Sequence, residues 1–467
     1  MTIATGSELK KQLDKVFQPE SVAVVGVSAR PDNPGTLLLR SLIDMGFEGT
    51  LYPINPKYET ILDLECYPAV REIPKAPDLV ILSIPPHSVP DVVAECAEAG
   101  VSACIINTAG FSESESPDGT KLEREILDAI KGSPLRLIGP NCMGVYSSPG
   151  RLATFAGQRP GGGKASLISQ SGSVANFLYI LGAERAVMFS KMVSSGNELD
   201  LNCADFLEYF ADDPDTGMIL MYLEEVREPR RFLRAALSVR GKKPLIIWKA
   251  GLTKGGRQAA VSHTGAAAGS EAVWNAVVRQ AGIVPVEDLA DIVDVASLFY
   301  HLGKPGGRGV CIISSPGGIA VNSADMVERN GLVVSGLSES TVERLREILP
   351  GEGTSLKNPV DMGFGAVIPG NLCEVLKAVA VDNRVDIIMV VGGAPASRKG
   401  DIGLMKMHTG EIKEAIKTID KPVILIGIPS GWAFPFISEM SWAGIPGFLS
   451  PGAACRAVAR FVSYYGL

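Results

Sequence analysis

Two stretches of this 467-residue chain repeat one order of residue types, and that repetition limits the folds open to it. Residues 165–169 read as a short strand, Gln170-Ser171-Gly172-Ser173 as a tight turn, and residues 174–181 as a helix. Residues 309–314 lead in the same way through Ser315-Pro316-Gly317-Gly318 into a helix over 319–330. A later pair of strands recurs as well, 218–222 with 244–248 in the first copy and 386–391 with 421–426 in the second. One small α/β fold used twice accounts for the pattern. A strand that turns directly into a helix offers unbonded backbone N–H groups and the positive end of the helix dipole to an anion. Ser171, Gly172, Ser173, Gly317 and Gly318 are therefore candidate phosphate-binding residues.

The chain ahead of the first copy also alternates strands and helices. Strands are expected at 21–26, 51–57, 78–84 and 103–107, with helices over 36–45, 88–99 and 122–131. Apolar strands in that alternation give a doubly wound parallel sheet with its ligand crevice at the carboxyl ends of the strands. The length suits two or three domains. Linkers rich in Gly and Pro at 159–164 and 304–308 set expected boundaries of 1–158, 159–303 and 304–467. The first turn lacks G-x-G-x-x-G, and the second strand ends at Asn55 and Lys57, where an NAD site places Asp or Glu. A lysine there suits a phosphate on the ribose. NADP and coenzyme A both carry one, and a Rossmann-like domain that binds no nucleotide also stays open.

Composition removes other classes. The formal charge of −7 supplies no basic field for nucleic acid or anionic lipid. No apolar run reaches the roughly 18 residues of a membrane span, and the N-terminal residues lack a signal-peptide core. The eight cysteines are scattered without a C-x-x-C pair, which argues against zinc and against a disulfide framework. A soluble protein of the reduced cytoplasm, with no metal of its own, is expected.

One of only four histidines, His263, sits in the small-residue stretch 261–270, expected as a loop in which neighbouring backbone can approach the imidazole. His87, His301 and His408 have no such setting and read as solvated or structural. A histidine that accepts a phosphoryl group attacks through a neutral ring nitrogen, while an acceptor holds the other nitrogen in the correct tautomer. Glu224 and Glu225, at the end of the strand over 218–222, are the nearest acidic candidates for that acceptor. Two glycine-rich helix starts, a strand-end glutamate and His263 together form a phosphohistidine site on paper.

Several segments carry a family resemblance: Gly26-Val27-Ser28 with Tyr52-Pro53-Ile54-Asn55-Pro56-Lys57, Gly110-Phe111-Ser112-Glu113, Gly139-Pro140-Asn141-Cys142, Ser169-Gln170-Ser171-Gly172, Ser262-His263-Thr264-Gly265 and Asn358-Pro359-Val360-Asp361. Over nearly its whole length the chain resembles the α subunit of ADP-forming acyl-CoA (acetyl-CoA) synthetases, in the succinyl-CoA synthetase superfamily. The resemblance implies a Rossmann-like CoA-binding domain followed by two flavodoxin-like, succinyl-CoA-ligase-like α/β domains. It implies that His263 is phosphorylated and that Glu224 orients it. Gly26, Ser28, Ala29, Arg30 and Lys57 are implied to contact the CoA nucleotide, and Asn107, Thr108 and Ala109 to lie near the pantetheine. Asn176 is implied to line the acyl pocket.

ATP or ADP with Mg belongs, on this resemblance, to an ATP-grasp β subunit, so the protein is expected to be a hetero-oligomer acting on a small carboxylic acid, acyl-CoA and phosphate. A CoA-sensing scaffold, a nicotinamide oxidoreductase and a ligase for a different acid such as succinate are the competing readings. Small residues around His263 imply a segment that moves between two sites. Bulky substitutions at Gly265 or Gly269 should then slow phosphoryl transfer, measured by transient labelling, more than they weaken CoA binding measured by calorimetry.

Overall fold

The computed structural model describes every residue except 1–5, 115–116, 156, 160, 265–269, 316, 350–352, 396–404 and 408. The chain divides into two compact units, residues 1–180 with 188–285 and residues 181–187 with 286–467.

Within the first unit, β1 (Ser21–Val25), β2 (Thr50–Ile54), β5 (Leu79–Leu82), β6 (Ala103–Ile106) and β7 (Arg136–Ile138) form one sheet, while β3 (Thr60–Ile61) and β4 (Leu64–Glu65) make a separate hairpin. The sheet order is β2-β1-β5-β6-β7, and every pair is parallel. β1, β5 and β6 are buried along their whole length, as strands covered on both faces must be. Helices α1 (Gly6–Phe17), α2 (Pro34–Asp44), α3 (Val89–Ala99) and α4 (Pro117–Ala129) accompany them. α2 begins where Asn33 accepts a hydrogen bond from Thr36 N–H at 2.9 Å and Pro34 takes the first turn, a position that needs no N–H. α3 stops at Gly100, whose left-handed φ of 78° lets the chain turn away.

The second sheet contains β8 (Gly144–Ser147), β9 (Leu152–Ala153), β10 (Ala165–Ser169), β11 (Phe189–Ser194), β12 (Met218–Leu223), β13 (Leu245–Lys249) and β14 (Val284–Val286), in the order β14-β13-β12-β10-β11-β8-β9. Its helices are α5 (Gly172–Glu184), α6 (Cys203–Asp212), α7 (Pro229–Val239), α8 (Lys254–Thr264) and α9 (Glu271–Ala281). β10 to β13 pair in parallel, but β8 runs antiparallel to β11 and β9 antiparallel to β8. Segment 144–153, N-terminal to the expected linker at 159–164, thus leaves the first sheet and extends the second.

α1 helps to join the two sheets into one unit. Phe17 stacks on Tyr209 of α6 at 5.3 Å between ring centres and meets Phe210 at 5.5 Å. The Tyr209 hydroxyl donates to Asp14 at 2.9 Å.

In the second unit, β15 (Gly309–Ser314), β16 (Val333–Val334), β18 (Ile387–Pro395), β20 (Val423–Gly427) and β21 (Gly447–Phe448) follow the order β16-β15-β18-β20-β21, with β17 (Val360–Asp361) beside β15 and β19 (Met405–Met407) beside β18. α10 (Leu289–His301), expected to complete the preceding domain, groups with this unit instead, and α11 (Gly317–Arg329) follows β15. The reason is aromatic packing: Phe299 meets Phe461 of the helix Pro451–Tyr464 edge-on at 4.9 Å. The Arg185 guanidinium lies 3.3 Å from Asp294 of α10 and donates to the carbonyl of Gly447 at 2.6 Å. Among the described residues no helix is long and apolar enough to cross a membrane.

Counted within each sheet and leaving aside the antiparallel β8 and β9 and the short β17 and β19, the strand order is 2-1-3-4-5 three times over, so the duplication seen in the sequence extends to topology. The switch point of such a sheet lies between its first and third strands. It falls at β1/β5, β10/β12 and β15/β18.

Lys191 on β11 is fully buried, with its ammonium 2.9 Å from Asp213 and 2.8 Å from Asp215. Removing one partner of a buried ion cluster strands the remaining charge, typically at about 3–5 kcal/mol. Lys191→Ala should lower unfolding stability by about that amount in a denaturant titration, and Asp215→Asn, whose side chain is half exposed, by much less.

Candidate functional site

At the first switch point the backbone is drawn tight. Gly26 has φ +99°, and a Cβ there would sit 2.1 Å from the carbonyl oxygen of Ser83, just past β5. Only glycine fits this turn. The turn that follows is held by Thr36, whose hydroxyl donates to the Ser28 carbonyl at 2.7 Å and accepts from Ser28 N–H at 2.9 Å. Asn55, beyond β2, donates from its amide to the Val27 carbonyl at 2.6 Å and accepts from Lys57 N–H at 2.9 Å. Ala29, Arg30 and Lys57 are left exposed along this rim, with Ser28 half-buried. The structure thus brings the expected nucleotide contacts together around one turn.

Past β6, Asn107 donates to the carbonyl of Cys142 at 2.7 Å, and Thr108 donates to that of Ile84 at 2.8 Å, while Ala109 is exposed. The Asn107 contact leads towards the second sheet, because the next residue, Met143, lies against the start of α5. A Cβ on Gly172 would come within 2.5 Å of the Met143 side chain. Met143 N–H also donates to the Ser194 hydroxyl at 3.1 Å. The segment 137–143 is further stitched to 197–201: Leu201, Leu199 and Asn197 donate to the carbonyls of Leu137, Gly139 and Pro140 at 3.2, 3.0 and 2.9 Å. Arg136 grips Asp200 through two nitrogens at 2.8 and 3.0 Å.

The second switch point holds the turn expected to bind an anion and the strand-end glutamates. The Ser169 hydroxyl donates to the Ser171 carbonyl at 2.6 Å, and the Ser171 and Ser173 hydroxyls are 3.1 Å apart at the first turn of α5. Gln170 bridges from this turn to the end of β12. Its side-chain oxygen accepts from Glu224 N–H at 2.6 Å and Glu225 N–H at 2.9 Å, while its amide nitrogen donates to the Glu225 carbonyl at 2.9 Å. The Glu224 carboxylate accepts from the Tyr222 hydroxyl at 3.0 Å. Lys249, at the end of β13, donates to the carbonyls of Glu224 and Ala250 at 2.7 and 2.6 Å, and its burial lowers the ammonium pKa. Asn176, half-buried, is on α5.

Sequence reasoning did not single out Glu198. It is 2 % exposed, has a left-handed φ of 52°, and has one carboxylate oxygen, Oε2, with no hydrogen-bond partner among the described residues. Its other oxygen accepts from the Ser195 hydroxyl at 2.8 Å. Burial pushes its pKa up to about 7, with Ser195, Gln170, Arg227 and the first N–H of α6, at Cys203, acting in the opposite sense. The neighbouring Asn197 amide donates to Glu113 at 2.6 Å and Glu123 at 3.2 Å, on the loop and helix that follow β6. The one sequence signal was Gly196-Asn197, a pair suited to a left-handed turn.

The stretch around His263, expected as a loop, is instead helical through Thr264, in α8. Thr253 accepts from Gly256 N–H at 3.1 Å at the start of that helix, and alanines at 259 and 260 favour its continuation. α8 runs beside the turn Ser112–Ser114. Gly265 and Gly269 lie outside the described residues, as does His408. His87 is exposed, and His301 Nε2 is 2.9 Å from the Arg185 carbonyl. In the second unit Gly317 and Gly318 open α11, and a Cβ on Gly317 would stand 2.9 Å from the Asp361 carboxylate. The eight cysteines are free thiols.

Residues 20–148 match the family described as CoA binding domain, and residues 162–299 match the succinyl-CoA ligase like flavodoxin domain. The α subunit of acetate–CoA ligase [ADP-forming] I from Pyrococcus furiosus is 37 % identical over 461 residues, which cover 97 % of each chain. The chain belongs to the family of ADP-forming acetate–CoA ligase α subunits. Acetate–CoA ligase [ADP-forming] I of Archaeoglobus fulgidus is 33 % identical over 97 % of this chain, which spans 64 % of that longer relative. Among solved structures, the dinucleotide-forming acetyl-coenzyme A synthetase 1 of Ca. Korarchaeum cryptofilum, in complex with phosphate and ADP, superposes with a TM-score of 0.87 at 31 % identity over 97 % of both chains. The first matched segment holds the first sheet together with β8, and the second holds β10 to β14 of the second sheet of this family member.

Glu198 also makes a stability prediction. An unfolded glutamate ionises near 4.5, whereas the folded protein holds this proton up to about 7. The group therefore lowers stability progressively as pH rises through that window, by about 3 kcal/mol when complete. Glu198→Gln should unfold at the same urea concentration as wild type near pH 4.5 and at a higher one at pH 8.

Proposed function

We propose that this chain is the CoA-binding, phosphohistidine-bearing half of an acid–CoA ligase that interconverts acyl-CoA, ADP and phosphate with acid, CoA and ATP. One observation carries the reading. Asn107 is bonded to Cys142, the next residue abuts Gly172 at the start of α5, and Gln170 ties that turn to Glu224, so the CoA-side loop and the phosphate-side turn form one continuous ridge.

The residues present suit coenzyme A. Gly26 keeps side-chain bulk out of the first turn, and the exposed Arg30 and Lys57 offer cations for the nucleotide phosphates. Ser28 and Ala29 complete that rim, and Asn107, Thr108 and Ala109 lead the pantetheine towards α5. Phosphate sits at the N–H groups of Gly172 and Ser173 and the Ser171 hydroxyl, where the helix dipole favours the charge that builds on it, while the Ser171 N–H is kept by the Ser169 hydroxyl. Its oxygen attacks the thioester carbonyl, the carbon–sulfur bond breaks, and CoA leaves an acyl phosphate. Asn176 lines the acyl side.

His263 then takes the phosphoryl group through a neutral ring nitrogen and the carboxylic acid departs. Glu224 accepts from the other ring nitrogen, fixing the tautomer and balancing the charge of the phosphorylated ring. Within the second unit, the start of α11 at Gly317-Gly318 is a further anion-facing turn of the same kind. ADP or ATP, with Mg, is held by an ATP-grasp β subunit, which makes the active protein a hetero-oligomer of the cytoplasm.

Incubation of the full chain with phosphorus-labelled acetyl phosphate, or with γ-labelled ATP and the ATP-grasp partner, should leave one acid-labile, alkali-stable label per chain. His263→Ala should abolish it and Glu224→Gln should slow its appearance by about 10²-fold or more, the range seen when a group acting on the transition state is lost. A His263→Ala chain that labels like wild type would refute the reading.

A further inference from the structure

Glu198 is a poor choice for stability alone. A carboxylate with one buried, unpartnered oxygen, on a residue with a left-handed backbone, is disfavoured on both counts. Its surroundings suggest what it does. Across from it stands Gln170, whose amide oxygen is already committed to the N–H groups of Glu224 and Glu225. One amide hydrogen of Gln170 goes to the Glu225 carbonyl, which leaves the second for another acceptor.

We propose that Glu198 is a positioning residue for phosphoryl transfer: its ionised carboxylate takes the remaining amide hydrogen of Gln170, locks that amide in the orientation that clamps Glu224 and Glu225, and so fixes where the Glu224 carboxylate stands. The proposal rests on the phosphohistidine reading above and names the element that regulates the same site.

The chemistry makes the clamp sensitive to protons. An ionised carboxylate only accepts hydrogen bonds, and it faces the donor side of the Gln170 amide. The protonated carboxyl is also a donor. It is a weaker acceptor with a hydrogen of its own, so it holds the amide hydrogen less tightly and leaves the amide freer to move off the Glu224 and Glu225 N–H groups. Groups facing Glu198 from the surrounding elements are the Ser195 hydroxyl on its own turn, Gln170 after β10, Arg227 after β12, and the N–H and thiol of Cys203 at the start of α6. Arg227 is itself 3.7 Å from Glu225. Asn197, one residue away, is held by Glu113 and Glu123, so the turn that carries Glu198 is anchored from the CoA side as well.

The test is the initial rate at which phosphorus-labelled acetyl phosphate labels His263 in the full chain, compared for wild type and Glu198→Gln between pH 6 and 8. Titration of His263 is common to both proteins and cancels in the ratio of rates. Because the carboxyl loses its proton about halfway through this range, the ratio of wild-type to variant rate should rise about tenfold. Gln170→Ala should be slow at every pH, and the double variant no slower than Gln170→Ala alone, since Glu198 acts through that amide. A labelled wild type whose ratio to Glu198→Gln stays constant with pH, or a double variant in which the two losses multiply, overturns the proposal and leaves phosphoryl transfer standing. A wild type that takes no label at any pH overturns both. Glu198→Gln relieves a buried charge, so its effect cannot be put down to failure to fold.

Discussion

The structure of the first unit depends on a seam between the residues that end β7 and those that follow β11. Three backbone hydrogen bonds and the two-pronged Arg136–Asp200 pair fasten 136–140 to 197–201. They act alongside α1, whose Phe17 and Asp14 meet Tyr209 of α6. With the seam in place, Met143 reaches the start of α5 and Asn197 reaches the acidic pair after β6. Close approach is what makes the seam possible: a Cβ on Gly196 would lie 2.2 Å from the Pro140 carbonyl. Two residue types therefore carry much of the architecture, a glycine that lets backbones touch and an arginine that satisfies a buried carboxylate.

Much of the fold was legible because parallel strands buried on both faces leave a strong imprint: runs such as Ser21–Val25 and Met218–Leu223 are mostly apolar, are buried throughout and end at turns. The repeated order strand, Ser/Gly turn, helix also translated directly into repeated topology. Several strands escaped, among them the parallel β7 and β11, the latter broken up by Ser190 and Lys191, and the antiparallel Gly144–Ser147 and Leu152–Ala153, short and placed ahead of an obvious glycine-rich linker. Nothing local marks which sheet such a strand joins, since that is decided by the partner edge at β11. The helix through His263 escaped for the opposite reason. Ala, Gly, Ser and Thr have no side-chain pattern to report a buried face, and a run of them fits a loop or a short helix equally well.

The candidate site was legible where backbone chemistry decides it and hidden where tertiary contact does. Gly26, Ser171-Gly172-Ser173 and Glu224 stand at strand ends, and strand ends at a switch point are where ligands gather. Gln170 was visible as part of a turn, but its bonds to residues 54 and 55 positions away were not. Glu198 lay in Ser-Ser-Gly-Asn-Glu, a composition that describes any surface turn. Only the folded chain shows that this glutamate faces inward, against Gln170 and the start of α6. Its unfavourable ionisation sets stability against function at a single side chain, a trade common where a site has to be held in one geometry.

The antiparallel strands β8 and β9 carry a consequence for how such a protein can be divided or recombined. They follow directly on the first sheet in the chain, yet they cap the outer edge of the second, lying against β11, which carries Lys191, with Lys191 opposite Ser147. A chain cut at the glycine-rich linker would take that edge away with the CoA-binding half and leave β11 with unpaired N–H and C=O groups, a ready template for aggregation. A graft that exchanges the first domain between relatives therefore keeps a sound joint only if it is cut between β7 and β8, ahead of Gly144, so that the edge travels with the sheet it protects.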